Sequence, residues 1–240
     1  SRDRLLAGII AAGLVLLGLT QLLGPLALGE GRRLTVDMGL SAISMLGLLV
    51  VLLVGTSLVA KELERRTIYN LLSRPISRAA YLVGKWAGLS AALWAVALSV
   101  GLALCALLAA RGAGALIPGV VGATYLAGLE LTVMTALAVM CSALSTPVLS
   151  ALYTLGFYVV GQWSYDLRAF AAHFPPALRS ALEFAADLAP NLPLFNARSL
   201  AAGGHPIGWD QLGVATAYAA VYAGCVLCLA AAAFESRDFK

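Results

Sequence analysis

Two uncharged stretches, residues 40–60 and 86–110, bracket a short segment dense in charge. As helices, stretches of about 20 residues cross about 30 Å of hydrocarbon. Inside hydrocarbon a single segment satisfies its own backbone polar groups only by forming a helix. The segment between them, Lys61 to Lys85, reads KELERRTIYNLLSRPISRAAYLVGK and must stay outside the membrane. This alternation alone holds the chain to a helical membrane fold.

Composition agrees. Of the 240 residues only 12% are charged and 61% are hydrophobic, against about 25% charged in an ordinary soluble domain. Glycine is scattered through the apolar runs, where close-packed membrane helices need small residues. The expected fold is all-α and polytopic: one transmembrane domain over residues 1–240 with six spans, at about 5–23, 40–60, 86–110, 118–144, 147–163 and 212–234. Gly24-Pro25 breaks the first span, and residues 26–37 are expected as a polar loop carrying Glu30, Arg32, Arg33 and Asp37. Arg111-Gly112-Ala113-Gly114 is a short turn, and Pro147 suits the first turn of the fifth helix. Residues 164–210 are more polar and form an external segment; within it Pro176–Leu188 is expected as a short helix with Leu178, Leu182 and Ala185 on one side.

Six spans place both termini and the charged segment on one side. That side carries ten Lys and Arg against five acids; the other carries six of each, spread over more loop. Basic excess marks the cytoplasmic side. The net charge of +4 is therefore a sidedness signal and no nucleic-acid footprint.

The segment itself splits into two faces. Leu63, Thr67, Ile68, Leu71 and Leu72 share one helical face; Glu62, Arg66, Tyr69 and Ser73 share another. This is an amphipathic helix lying at the membrane surface, where it meets lipid. Pro75 stops it, since the residue before a proline disfavours helical geometry. Ser77 then suits the N-cap of the helix leading into the third span.

From Glu64 the run E-R-R-T-I-Y-N-L-L-S-R-P-I-S-R, followed by Gly84-Lys85, resembles the type-2 ABC exporter permeases, the membrane subunits of ATP-driven drug, lipid and polysaccharide exporters. Their loop between spans two and three reads E-R-x-x-G-T-L-x-x-L-L-S-x-P-V-S-R, then G-K. Glu64, Arg65, Thr67, Leu71, Leu72, Ser73, Pro75, Ser77, Arg78, Gly84 and Lys85 match, while Arg66 stands where a glycine is usual. The end, Phe234-Glu235-Ser236-Arg237-Asp238-Phe239, is similar to the family's closing F-x-x-R-D-[LF], and Asn191-Leu192-Pro193 to an external stretch of some members.

The resemblance implies that residues 61–78 are a coupling helix docking in a groove on a separate ABC ATPase subunit, two copies of which would bind ATP and Mg. Leu63, Ile68, Leu71 and Leu72 would pack, and Glu64, Arg65, Arg74 and Arg78 would set register and orientation; Glu62, Thr67 and Pro75 complete the coupling set. It further implies a homodimer of permeases, a bacterial or archaeal plasma (inner) membrane, and a membrane-surface helix in residues ahead of Ser1. The plain alternative for the segment is a surface helix held by anionic lipid.

This chain itself is expected to be no enzyme and to carry no cofactor. A phosphate-cradling loop needs two glycines and a hydroxyl, yet Ala79 stands at the leading glycine's place and Trp86 follows Lys85. Glu130 is the one acid deep in a span, and intramembrane carboxylates are functional candidates by default. The favoured role is structural, bonded to Ser99, Tyr218 or Tyr222; proton or cation handling is the rival. Thr20, Gln21, Ser41, Ser44, Thr56, Ser57, Gln162 and Ser164 are polar positions in or beside spans one, two and five. By resemblance they are pathway-lining candidates; interhelical hydrogen bonding explains them as well. Trp163 and Tyr165 read as an interfacial belt. Cys225 and Cys228 lie at lipid depth with no second pair, and His173 and His205 are isolated, so no metal site is expected.

The expected function is a permease coupling ATP hydrolysis to export of a lipid, drug or other amphipathic solute. The rivals are a membrane scaffold passing ATPase motion to an extracytoplasmic partner without solute transport, and an intramembrane enzyme centred on Glu130.

Overall fold

The computed structural model describes residues 8, 11–13, 15, 17, 18, 31–59, 77–171 and 173–235. Among these the regular elements are helices: α1 (Gly31–Leu53), α2 (Arg78–Ala110), α3 (Ile117–Leu144), α4 (Pro147–Gln162), α5 (Ser164–Ala171), α6 (Pro176–Leu188), α7 (Arg198–Ala202) and α8 (Trp209–Glu235). Short 3-10 turns stand at Gly55–Ser57, Gly114–Leu116 and Leu192–Phe195.

Local chemistry sets several of these boundaries. Ser77 caps α2 as its sequence position predicts, its Oγ accepting from Ala80 N at 3.2 Å. The same helix closes on Gly112, whose φ of 68° is open to glycine at little cost. Ala113 N then reaches Leu108 O at 2.9 Å and Gly112 N reaches Ala109 O at 3.1 Å, satisfying carbonyls the helix end leaves over. Pro147 sits in the first turn of α4 behind an extended Thr146.

Among the described residues four stretches are long and apolar enough to cross a membrane: Gly31–Ser57, Ala79–Ala110, Gly114–Leu144 and Trp209–Phe234. The other two expected spans differ in their standing. The first falls mostly on positions outside the described residues. The fifth is helical, but α4 has 16 residues, a rise of about 24 Å at 1.5 Å per residue, short of a full crossing. Its backbone leaves helical geometry at Trp163 before α5 begins at Ser164.

The expected polar loop 26–37 is corrected where it is described, because α1 is already helical from Gly31. Thr35 Oγ1 donates to Gly31 O at 2.8 Å, and Thr35, Val36 and Leu40 are buried while Arg32, Arg33 and Asp37 are exposed. Helical periodicity thus runs on past the apolar stretch. Hydropathy marks where hydrocarbon begins, not where the helix begins.

The chain divides into two compact units, each fed by α1, α2, α3 and α8. One comprises Ser1–Val50, Gly88–Thr132 and Phe195–Ala219. In it Trp94 Nε1 donates to Thr132 Oγ1 at 3.0 Å, and the Trp94 ring lies 5.6 Å from that of Tyr125. Arg198 Nη1 donates to Ser41 Oγ at 3.3 Å, tying α7 to α1. The other comprises Val51–Ala87, Val133–Leu194 and Ala220–Lys240. There α4, α5 and α6 pack on one another, and Tyr222 OH on α8 donates to Leu188 O at the end of α6 at 2.9 Å. On α6 Ala186 is buried, Leu182 is half-buried and Leu178 is exposed.

Among the described helices long enough to cross a membrane, α3 is the deepest. Of its most apolar window 89% is buried, against 33–50% for the other three long helices. Large apolar side chains such as Met45, Leu102, Val148 and Val221 stand exposed. In water such an array invites aggregation; in a bilayer, lipid tails solvate it.

Candidate functional site

The predicted ATPase-coupling residues Glu62, Leu63, Glu64, Arg65, Thr67, Ile68, Leu71, Leu72, Arg74 and Pro75 lie outside the described residues, and so do Thr20 and Gln21. Arg78 opens α2. What is described is how both flanks of that segment are held.

On the entry side the chain leaves α1 through the 3-10 turn Gly55–Ser57. Thr56 Oγ1 donates to Leu52 O, and Ser57 Oγ reaches Leu53 O and Val54 O, each at 3.1 Å. These hydroxyls close the end of their own helix. Two residues on, Val59 is fully buried, and its N–H donates to Ser142 Oγ on α3 at 3.1 Å. A buried amide outside regular structure needs such an acceptor, and Ser142 supplies it.

The exit side meets the same place. Leu82, in the second turn of α2, is fully buried with Val59 in one cluster. Val139 and Ala143 of α3 and Ala230 and Phe234 of α8 complete it. Leu58, Tyr81, Trp86, Met140 and Ala231 pack around the edge, and Lys85 Nζ stands 5.4 Å from the centre of the Tyr81 ring. A cation over an aromatic face is attracted by the ring quadrupole.

The turn from α3 to α4 is fixed beside this knot by hydroxyls. Ser145 Oγ and Ser150 Oγ stand 2.8 Å apart and both reach Cys141 O, at 2.9 and 2.8 Å. Thr154 Oγ1 donates to Ser150 O at 2.7 Å. Val59 and Leu82, described on either side of residues 60–76, thus share one cluster with α3 and α8. Close-packed interiors transmit strain rather than absorb it.

A second site is the buried pair Ser44–Glu130 in the other unit. Glu130, 4% exposed, accepts from Ser44 Oγ at 3.4 Å. Gly47, one turn along α1, permits the approach: a Cβ there would collide with the Leu131 side chain. Two residues singled out separately in the sequence are thus brought together. Ser99 Oγ, a suggested partner of Glu130, donates to Val96 O at 2.8 Å, and Tyr222 OH goes to Leu188 O.

The remaining candidates are spread out. Thr56 is buried against its own helix, and Gln162 is half-buried at the end of α4. Ser41 bonds Arg198, and Ser164 Oγ donates to Asn191 Oδ1 at 3.4 Å. Trp163 and Tyr165 are exposed. Among the described residues no three His, Cys, Asp or Glu side chains converge as metal ligands. Gly84-Lys85 lies within α2, where no phosphate-cradling loop can form.

The knot was not read in the sequence. Its members look like any other apolar positions; the available signal was Phe234, the first residue of the closing F-x-x-R-D-F run.

Compared with known families, residues 8–238 match the model described as ABC-2 family transporter protein. No curated protein and no solved structure matches the chain.

Proposed function

The chain belongs to the ABC-2 transporter family, and from that premise we propose that it is the permease subunit of an ATP-driven exporter of an amphipathic solute. Two permease copies work with two copies of a separate ATPase, which binds ATP and Mg. Residues 61–78 dock on the ATPase from the cytoplasmic side, apolar face inward, as amphipathic helices enter grooves. ATP-driven closure of the ATPase pair moves this segment, and the spans reorient about a central path to expose the solute to the other side.

The observation that carries this reading is the shared knot. Val59 and Leu82, on opposite sides of the segment, lie in one cluster with α3 and α8. A loop serving only to join two spans has no need to gather both its ends and two further helices. The basic excess of residues 61–85 supports the cytoplasmic placement. The Ser44–Glu130 pair serves as an internal hydrogen bond between α1 and α3.

Reconstitution of the chain with its cognate ATPase in proteoliposomes tests the proposal. ATP-dependent movement of a fluorescent lipid or amphipathic dye is expected. ATP hydrolysis by the complex without flux of any amphipath, alongside a bound extracytoplasmic partner, would move the assignment to a force-transmitting scaffold.

A further inference from the structure

We propose that a groove between the first turns of α3 and α8 is a binding site for one acyl chain of a resident membrane phospholipid. The cavity measures about 1100 Å³, large for a single ligand chain, and its walls are almost wholly apolar, with Ile117 and Val121 on one side and Leu212 on the other. Ile207, in the connection before α8, also lines it. Both helices belong to membrane-length stretches, so the open side faces hydrocarbon. Val121 and Val214 beside it are more than half exposed, continuous with the lipid-facing surface.

The polar atoms at the inner end are already engaged. Tyr125 OH and Thr216 Oγ1 stand 2.9 Å apart, and Thr216 Oγ1 also donates to Leu212 O at 2.6 Å. The groove therefore asks for a hydrocarbon chain rather than a polar solute. Its mouth is marked by Trp209, 87% exposed at the start of α8, the kind of side chain that sits at headgroup level. From Trp209 to Thr216 is seven residues along α8, about 10 Å, within the half-thickness of about 15 Å that one leaflet offers. A chain entering at the level of Trp209 runs inward alongside the helix, its headgroup left at the boundary.

One position in the wall carries no side chain. A Cβ at Gly213, in the lining of the groove, would have no atom within 4 Å. Gly213→Leu projects a branched side chain into the groove from a Cβ position with no atom within 4 Å and improves helix propensity, which separates loss of binding from loss of fold. This site does not depend on the transport reading, and nothing in it involves residues 61–78.

The test uses the full chain in detergent, titrated with dibrominated dioleoylphosphatidylcholine, a lipid whose acyl bromines quench nearby indoles. The Trp209 contribution is the difference between the wild-type and Trp209→Phe proteins. Saturable quenching at one lipid per chain is expected, with loss of that saturable component in Gly213→Leu at unchanged thermal stability. Quenching that rises linearly without saturating, or is the same in Gly213→Leu, would reduce the groove to passing contact with bulk lipid and overturn the proposal. So would cross-linking of Val214→Cys between two copies of the chain, which would put a protein helix where the lipid is placed.

Discussion

Replacing Phe234 by Ala removes the largest side chain from the cluster that holds both flanks of residues 60–76. Phe234 is 2% exposed and packs with Val59, Leu82, Val139, Ala143 and Ala230. In a membrane protein the transfer part of the loss is reduced, because lipid tails are themselves apolar. The cavity part remains: about 100 Å³ of lost volume at ~24 cal/mol per Å³ is about 2.4 kcal/mol. At ~1.4 kcal/mol per tenfold, that raises local opening of the cluster about 50-fold. Two reporters lie within the structure. The Val59 amide, bonded to Ser142 Oγ, should lose hydrogen-exchange protection by that factor, and Trp86 at the cluster's edge should shift its emission to the red. Phe234→Leu, which keeps most of the volume, should cost about 1 kcal/mol. In the assembled complex, Phe234→Ala should leave ATP hydrolysis running while lowering flux per ATP. If the Val59 amide stays as protected in Phe234→Ala as in the wild type, the cluster does not hold that flank and the transmission argument is wrong.

Ser142→Ala takes the acceptor from the buried Val59 N–H and should cost about 1–3 kcal/mol, read as lower thermal stability together with faster exchange at Val59 and not at Ala123, a buried residue nearer the start of α3. Glu130→Gln keeps an oxygen to accept from Ser44 Oγ, so assembly and transport should survive; lost transport at unchanged stability would move Glu130 into the transport chemistry. Glu130→Leu, by contrast, strands a buried hydroxyl and should destabilise by about 1–3 kcal/mol, measured by thermal unfolding in detergent. A Cβ at Gly161 would stand 2.6 Å from the Pro190 carbonyl, a backbone atom that cannot rotate away, so Gly161→Ala should cost about 1–3 kcal/mol and expose the 188–195 stretch to protease.

Much of the fold could be read from residues whose effect is local. Ser77 names its own cap, Pro147 its own first turn, and the charge-free runs their own burial in lipid. Misreadings arose where helix and hydrocarbon part company: α1 starts at Gly31 because Thr35, Val36 and Leu40 continue the buried face beyond the apolar run. Glu130 could be singled out from depth alone, but its Ser44 partner is 86 positions away, and pairing at that distance is set by how helices cross. The knot was hidden for the same reason. Val59, Leu82, Val139 and Phe234 come from four stretches of chain, and nothing distinguishes a valine that anchors a lever from one that meets lipid until the helices are in place.

In the proposed function residues 61–78 are where a separate ATPase takes hold. Co-purification of the cognate ATPase subunit with a chain carrying Leu71→Asp and Leu72→Asp measures this directly, because charge on the docking face cannot enter an apolar groove without a large desolvation cost. The ATPase should be lost from the purified complex while the variant chain unfolds at the wild-type temperature. Full retention of the ATPase by that variant would place the contact elsewhere and contradict the coupling role.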